Sequence, residues 1–121
     1  MARRLRILIT DDQPRARQSM RALLATCPEV GEIREAASGK QALSLIEASQ
    51  PDVVLMDVRM PEMDGLEATR IVKARWPQVK VILLSMYGDY ASDALAAGAD
   101  AFINKAEAPV KLLAMLAALV G

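Results

Sequence analysis

Apolar and polar positions along the chain form two alternating patterns, short apolar runs and longer stretches with helical periodicity. The first, third and fourth apolar runs lack the apolar-polar alternation of a half-exposed strand. This is typical of parallel strands that are covered on both faces. We therefore predict strands at residues 5–10, 32–36, 53–56, 81–85 and 101–104.

The stretches that follow these strands carry signals for the starts and ends of helices. Pro14 and Pro109 suit the first turns of the first and last helices, where a missing N–H does no harm. Ser38 and Asp64 each stand three residues before Gln or Glu, which is the capping-box pattern, and Gly98 suits a helix end. Strands that alternate with helices predict an α/β domain with a parallel sheet and helices on both faces.

Length and composition favour one packed domain. A chain of 121 residues has the size of a single domain, and a hydrophobic content of 53% argues against disorder. Fifteen basic residues balance fifteen acidic ones, so the formal net charge is zero. Net charge therefore provides no general attraction to nucleic acid or to an anionic membrane.

Histidine is absent from the sequence, which excludes a Ser-His-Asp triad, a His-ligated zinc site and a histidine pH switch within this chain. Cys27 is the only cysteine, so no internal disulfide can form, and this fits a reducing compartment. The apolar run near the N-terminus is too short for a signal peptide, and the apolar C-terminal segment is too short to span a bilayer. We expect a cytoplasmic protein that does not associate with membranes.

Polar residues follow the predicted strands, and a parallel sheet brings all of them to one edge, where ligands bind in such folds. Asp11 and Asp12 follow the first strand, Asp57 the third, Ser85 ends the fourth, and Lys105 follows the fifth. Each alone has an ordinary explanation, because an Asp after a strand usually forms a turn or caps a helix. Their convergence on one edge indicates a functional site.

Three carboxylates at one edge repel each other, so either one stays protonated or a cation lies between them. Oxygen ligands without His or Cys select a hard ion, and Mg²⁺ needs only one or two carboxylates together with carbonyls and water. Asp57 can accept a phosphoryl group as an aspartyl-phosphate, with Lys105 and Ser85 available to the phosphoryl oxygens. The pattern contains no obvious general base, which favours transfer to Asp57 over hydrolysis of a bound substrate.

Four segments, "TDDQP", "VVLMDVRMPEMDG", "VILLS" and "GADAFINK", resemble the motifs of the two-component response regulator receiver (CheY-like) domain. They occur in the order and spacing of that family, over essentially all of residues 1–121. The stretch "LLSMYGD" resembles the NarL/LuxR-type subfamily, whose regulators carry a C-terminal helix-turn-helix output domain. The resemblance implies a flavodoxin-like (βα)5 fold with strand order 2-1-3-4-5, and we expect no output domain within residues 1–121.

The resemblance also implies a phosphoacceptor and a metal site. Asp57 takes the place of the residue that receives the phosphoryl group. Asp12, Asp57 and the backbone carbonyl of Arg59 correspond to Mg²⁺ ligands, and Asp11 to a residue that reaches the metal through water. Such a domain is a switch rather than an enzyme, although it assists its own phosphorylation and dephosphorylation.

The remaining roles that the resemblance implies concern phosphoryl binding and the switch. Lys105 and Ser85 correspond to the residues that bind the phosphoryl group, and Ser85 and Phe102 to those that change position. The surface formed by residues 87–121 would then control the output. The implied partners are a sensor histidine kinase, a second copy of the chain on phosphorylation, and DNA through an output domain, for transcription regulation.

One position departs from the family pattern. Ala106 follows Lys105, where the family usually has a proline, often with a cis bond before it. A cis peptide bond before a residue other than proline costs roughly 2.5–4 kcal/mol.

Three other functions compete with a phosphorylation-controlled switch. A haloacid-dehalogenase-type phosphatase would need a second Asp two residues after Asp57, where this chain has Arg59. A flavin-binding module would need a phosphate loop rich in Ser, Thr or Gly after the first strand, where "TDDQPR" stands. A degenerate receiver that only binds proteins is disfavoured because all five polar positions at the strand ends are retained.

Overall fold

The computed structural model describes residues 4–86 and 88–120, and within these ranges the chain alternates strictly between strand and helix. The strands are β1 (Leu5–Thr10), β2 (Val30–Ala36), β3 (Val53–Asp57), β4 (Lys80–Ser85) and β5 (Ala101–Asn104). The α-helices are α1 (Pro14–Leu24), α2 (Gly39–Ala48), α3 (Gly65–Arg75), α4 (Ala91–Ala97) and α5 (Ala108–Val120).

The strands form one parallel sheet in the order β2-β1-β3-β4-β5. The predicted flavodoxin-like fold is therefore confirmed. The order reverses between β1 and β3, where Thr10 pairs with Met56. At this switch point the connections that follow β1 and β3 leave the sheet in different directions, which opens a crevice beyond the carboxyl ends of these two strands.

The first hydrophobic core lies between one face of the sheet and helices α1 and α5. Ile9 and Leu55 pack there with Leu24 of α1 and with Leu112 and Leu116 of α5, and all five are buried.

The second core fills the opposite face of the sheet, beneath α2, α3 and α4. Leu8 and Val54 pack with Ile46 of α2, Val72 of α3 and Ala94 of α4. Neighbouring residues of β1 and β3 thus enter different cores, because successive side chains of a strand point to opposite faces. This explains why the sequence of these strands lacks polar alternation.

The predicted helix signals are confirmed by the hydrogen bonds at the helix ends. The Ser38 hydroxyl accepts from the N–H of Gln41 at 3.0 Å, and the Asp64 carboxylate accepts from the N–H of Glu67 at 2.8 Å. Gly98 ends α4 in the left-handed conformation, with φ of 88°.

The predicted start of β2, at residue 32, was wrong by two residues. Strand β2 begins at Val30 because Val30 pairs with Leu5 across a local irregularity in the register of β1. Helix α2 begins at Gly39, directly after its cap, and α1 ends at Leu24 because Thr26 bonds back to the carbonyl of Leu23 in a tight turn.

The connection from β5 to α5 accommodates alanine where the family usually has proline. The Lys105–Ala106 peptide bond is trans, and Lys105–Glu107 form a turn of 3-10 helix. The N–H of Ala106, which a proline would lack, donates to the Asn104 side chain at 2.9 Å. The substitution therefore gains a hydrogen bond that holds the residue after Lys105.

Gly65 allows α3 to start directly against the end of β3. Its N–H donates to the carbonyl of Val58 at 2.8 Å. A Cβ atom at this position would overlap the carbonyl oxygen of Asp57 and would lie 3.0 Å from Cγ of Met56. Glycine is thus required by the close approach of two backbone segments, and this approach fixes the position of Asp57.

We predict that Gly65→Ala destabilises the protein by about 1–3 kcal/mol, because the backbone of Asp57 must move to make room for the methyl group. Gly39→Ala is the matched control, since Gly39 also begins a helix but its nearest neighbour is the flexible side chain of Met63 at 3.1 Å. Urea unfolding of both variants measures the difference. Equal losses in the two variants would contradict the steric role of Gly65.

Candidate functional site

Four of the predicted site residues meet at the carboxyl ends of β1, β3 and β5. Lys105 Nζ lies 2.9 Å from Oδ2 of Asp11 and 3.2 Å from Oδ1 of Asp57. The side chains of Asp11, Asp12 and Asp57 offer carboxylate oxygens that lie within 4.8 Å of one another, a group found among the described residues. The sheet therefore brings together three acids and a lysine that are separated by up to 94 positions along the chain.

The donor set of this cluster fits a hard divalent cation. Asp11 is buried, with 5% of its surface exposed, while Asp12 and Asp57 are half-buried. Their oxygens repel each other at this separation, and a single ammonium offsets only part of that repulsion. Carboxylate oxygens that remain partly open to water are the ligands that Mg²⁺ prefers in proteins.

Asp11 holds the loop between β1 and α1 in place. Its Oδ1 accepts from the N–H of Gln13 at 2.9 Å, and its Oδ2 accepts from Lys105 at 2.9 Å. Its N–H donates to the carbonyl of Ala36 at 3.1 Å, and its carbonyl accepts from Arg17 at 2.7 Å. Both carboxylate oxygens of Asp11 thus already have protein partners.

Asp12 does not cap the following helix, an alternative that the sequence left open. The N-cap residue of α1 is Gln13, which makes no side-chain capping bond, and the turn bond at this point belongs to Asp11. This leaves the half-buried Asp12 carboxylate facing the acidic cluster, where its oxygen lies near those of Asp57.

The environment of the cluster shifts two pKa values. Burial is the main cause that raises the pKa of Asp57. The charge of Lys105 opposes this shift, and the charge of Asp11 adds to it. Burial by itself would lower the pKa of Lys105, but the hydrogen bond to Asp11 and the charge of Asp57 outweigh it and raise this pKa. Lys105 therefore stays a cation at neutral pH, whereas ionisation of Asp57 lowers the stability of the folded state.

Ser85 and Phe102, the predicted switch pair, lie on adjacent strands. Ser85 is buried at the end of β4, with 2% exposed, and follows the residue that pairs with Asp57. Phe102 pairs with Leu83, two residues before Ser85, and is half-buried against the second core. The roles of Ser85 and Phe102 stay predictions.

Arg59 makes a contact that the sequence did not reveal. Its exposed guanidinium donates from Nε to the hydroxyl of Tyr90 at 3.1 Å, and this bond raises the pKa of Arg59. The ring of Tyr90 in turn makes an edge contact with Phe102, with centroids 6.5 Å apart. The predicted metal-binding loop is thus linked to the predicted switch residue. The role of the Arg59 backbone carbonyl as a metal ligand stays a prediction.

A cavity of about 360 Å³ opens beside the cluster, between α1 and α5. Most of its walls are apolar, and its polar side includes Asp11, Asp57 and Lys105. Asp57 is therefore part of the wall of an open cavity on this side of the sheet. Tyr87 and Gly121, which belong to the predicted switch surface, lie outside the described residues.

In the part of the chain that the structure describes, no helix has the length and apolar content needed to cross a bilayer.

Comparison with known proteins identifies the family. Residues 7–117 match the response regulator receiver domain. The chain belongs to this family.

Individual relatives agree with this assignment. The receiver is 38% identical over 104 residues to the transcriptional regulatory protein DegU of Brevibacillus brevis, which covers 84% of this chain and 44% of DegU. A LuxR-family two-component response regulator from Aurantimonas sp. SI85-9A1 superposes with a TM-score of 0.89 at 29% identity, covering 97% of this chain and 85% of that one.

The signal receiver domain of NarL from Mycobacterium tuberculosis superposes with a TM-score of 0.88 at 30% identity, covering 98% of this chain and 97% of that domain. The predicted resemblance to NarL/LuxR-type receivers is confirmed. The chain spans about half the length of the curated relatives that it matches. It is a receiver domain of two-component signalling, and receivers are phosphoacceptor switches rather than enzymes.

We predict that Asp57→Asn stabilises the receiver at neutral pH in buffer without Mg²⁺. Because the folded pKa of Asp57 is raised above its ordinary value of 3.8, the folded state keeps a proton that the unfolded state has already released. The free energy of unfolding therefore falls as the pH rises from 3.8 to the raised pKa of the folded state. The loss of stability is fully present above the folded pKa. Water still reaches part of this carboxylate, so we expect a gain of only about 2–4 °C in the unfolding midpoint.

Thermal unfolding between pH 4 and pH 8 measures this effect, and the gain should shrink as the pH is lowered towards 3.8. Asp64→Asn is the control, because it removes one exposed charge and keeps a side chain that can cap α3. A gain that is the same at every pH, or that Asp64→Asn reproduces, would contradict the proposed cost of ionising Asp57.

Proposed function

We propose that this receiver accepts a phosphoryl group on Asp57 from a sensor histidine kinase, in a reaction that depends on Mg²⁺. The observation that carries the proposal is the position of the Asp57 carboxylate, 3.2 Å from the ammonium of Lys105 and within the acidic cluster. A carboxylate in this environment has a partner for developing negative charge on one side and room for a donor on the other.

In the proposed transfer, an oxygen of the Asp57 carboxylate attacks the phosphorus of a phosphohistidine. The new O–P bond forms as the P–N bond breaks, and the electron pair of the broken bond stays on the imidazole nitrogen of the kinase. Lys105 stabilises the charge on the phosphoryl oxygens, and Ser85 donates a hydrogen bond to them. Residues 1–121 contain no histidine, so the phosphohistidine donor must lie outside them.

We propose that Asp12, Asp57 and the carbonyl of Arg59 hold Mg²⁺, with Asp11 acting through water. The metal would screen the repulsion between the acids and the incoming phosphoryl oxygens. Asp11 suits an indirect role because both of its carboxylate oxygens already accept hydrogen bonds. The same residues would later position the water that removes the phosphoryl group, without a dedicated general base.

We predict that incubation with Mg²⁺ and acetyl phosphate adds one phosphoryl group to the wild-type chain and none to Asp57→Asn. Asn lacks the anionic oxygen that attacks phosphorus. Intact mass spectrometry measures the adduct. EDTA should abolish it in the wild type, and Asp12→Ala should abolish it in the presence of Mg²⁺.

The matched control for this experiment is Asp64→Asn, which removes an acid from the same loop but leaves the cluster intact. It should be phosphorylated to the wild-type extent. An adduct that persists on Asp57→Asn would sink the assignment of the acceptor, and full phosphorylation in EDTA would sink the requirement for the metal.

The phosphoryl group would switch the surface formed by α4, β5 and α5, the described part of residues 87–121. It brings about −1.5 to −2 charges and three acceptor oxygens, so the Ser85 hydroxyl would be drawn towards it. Phe102 would then turn into the space beside β4. Exposed apolar side chains on this surface, Leu95 at 78% and Val110 at 81%, support a role in binding a partner or a second copy of the chain.

We predict that beryllofluoride with Mg²⁺ changes the amide chemical shifts of Ser85, Phe102 and residues 88–120, because the mimic favours a state that the free receiver already samples. Two-dimensional NMR measures the changes. Asp57→Asn should give none and serves as the control. Changes confined to the loops at Asp11, Asp57 and Lys105 would refute the switch and leave the phosphoacceptor proposal standing.

The output proposed for this receiver is control of transcription through a DNA-binding domain. The proposal is supported by the names of the relatives, which include a transcriptional regulatory protein, and by their greater length. DNA would be contacted by the output domain, since the receiver carries no net charge.

A further inference from the structure

Arg17, in the second turn of α1, connects the loop of the acidic cluster to the edge strand β2. Its Nη1 donates to the backbone carbonyl of Asp11 at 2.7 Å, and its Nε donates to Oε1 of Glu35 at 3.2 Å. The side chain is largely enclosed, with 17% exposed. Its guanidinium thus spans from the residue next to Asp12 to a carboxylate on the neighbouring strand.

Glu35 is shared with a second arginine one helical turn further on. Arg21 Nε donates to Oε2 of Glu35 at 2.6 Å, and its Nη2 donates to the carbonyl of Ile33 at 3.0 Å. Arg17 and Arg21 therefore have the same charge, the same helix and the same acidic partner. They differ in their backbone contacts, since Arg17 bonds to the carbonyl of Asp11 and Arg21 bonds to β2.

We propose that Arg17 is a positioning residue for the Mg²⁺ site, because its bond to the Asp11 carbonyl fixes the direction in which the carboxylates of Asp11 and Asp12 point. This inference rests on the proposed function, in which Asp12 is a direct ligand. Repulsion from Asp57 pushes the loop of Asp11 and Asp12 away from β3. The bonds of Arg17 to the Asp11 carbonyl and to Glu35 of β2 hold the backbone of this loop in one position.

The direction in which Mg²⁺ affinity changes when Arg17 is replaced separates a positioning role from a simple effect of its charge. A cation near the site repels Mg²⁺, so removal of the Arg17 charge alone would strengthen metal binding. Loss of a residue that orients metal ligands weakens it instead, typically by 10–100-fold. The two explanations thus predict opposite changes in the Mg²⁺ dissociation constant.

The experiment compares Arg17→Met and Arg21→Met in the full chain, because Met is similar in length to Arg and has no hydrogen-bond donor. Titration with MgCl₂ is followed by the amide shifts of Asp12, Gln13 and Asp57. We expect Arg17→Met to raise the dissociation constant by roughly tenfold or more. Arg21→Met should stay near the wild-type value or bind slightly more tightly, and Arg17→Lys should recover part of the loss.

A second readout needs no metal. Loss of the hydrogen bond should move the ¹³C shift of the Asp11 carbonyl upfield in Arg17→Met and leave it in place in Arg21→Met. If Arg17→Met does not fold, Arg17→Lys decides by the same two measurements, because it can keep one donor but loses the fork to Glu35. With Lys, a displaced Asp11 carbonyl shift together with a wild-type dissociation constant would show that the bond to this carbonyl is dispensable for metal binding and would overturn the positioning role.

The outcomes separate the two proposals. If the wild type binds Mg²⁺ and Arg17→Met binds it equally well or more tightly, the positioning role is wrong and the metal site stands. If the wild type shows no saturable shifts at Asp12 and Asp57, the metal site fails and the positioning role fails with it.

Discussion

Repulsion among the carboxylates of Asp11, Asp12 and Asp57 is the constraint to which the rest of the site responds. Their oxygens lie within 4.8 Å of one another at the edge of the sheet. Lys105 contacts two of the acids, at 2.9 Å and 3.2 Å, and offsets part of their charge. Burial is the main cause that raises the pKa of Asp57, and the charge of Asp11 adds to it. The negative charge of the cluster is also the charge that a divalent cation would neutralise.

The parallel sheet makes this convergence unavoidable once the strands pair in the observed order. All carboxyl ends of the strands point to one edge, and β1 and β3 are neighbours there. The two cores hold the strands from opposite faces, so the backbone at the site has little freedom to relieve the repulsion by moving apart. Gly65 adds to this rigidity because α3 begins in direct contact with the carbonyl of Asp57.

The loops above the sheet are held by polar contacts, and the loop after β3 is also held by Val58 and Met60, which are buried in the second core. The loop after β1 is tied to Lys105 and to Arg17, and the loop after β3 is tied to Tyr90 through Arg59. These bonds depend on direction and charge, so we expect them to respond to a new charge on Asp57. The edge contact between the Tyr90 ring and β5 then connects the acidic site with the proposed output surface.

The sequence by itself determined the class of fold, the helix caps and the set of acids at the strand ends. Apolar periodicity, capping residues and glycine at a helix end act within a few residues, so their consequences are visible locally. The start of β2 at Val30 was not visible, because it depends on pairing with Leu5 across an irregular register. That Asp11 rather than Asp12 accepts the turn bond before α1 was also not visible, because it depends on how the loop is anchored.

Tertiary structure alone decided which side chains support the acidic site. The sequence offers Arg15, Arg17 and Arg21 in one helix with no local feature to separate them, yet Arg17 is the one whose bond reaches the Asp11 carbonyl. The bond between Arg59 and Tyr90 joins residues that are 31 positions apart. Such contacts are set by how α1 and α4 lie against the sheet, and the physical reason is general. Local propensity fixes an element's type, whereas the direction of a long charged side chain depends on partners that only packing brings within reach.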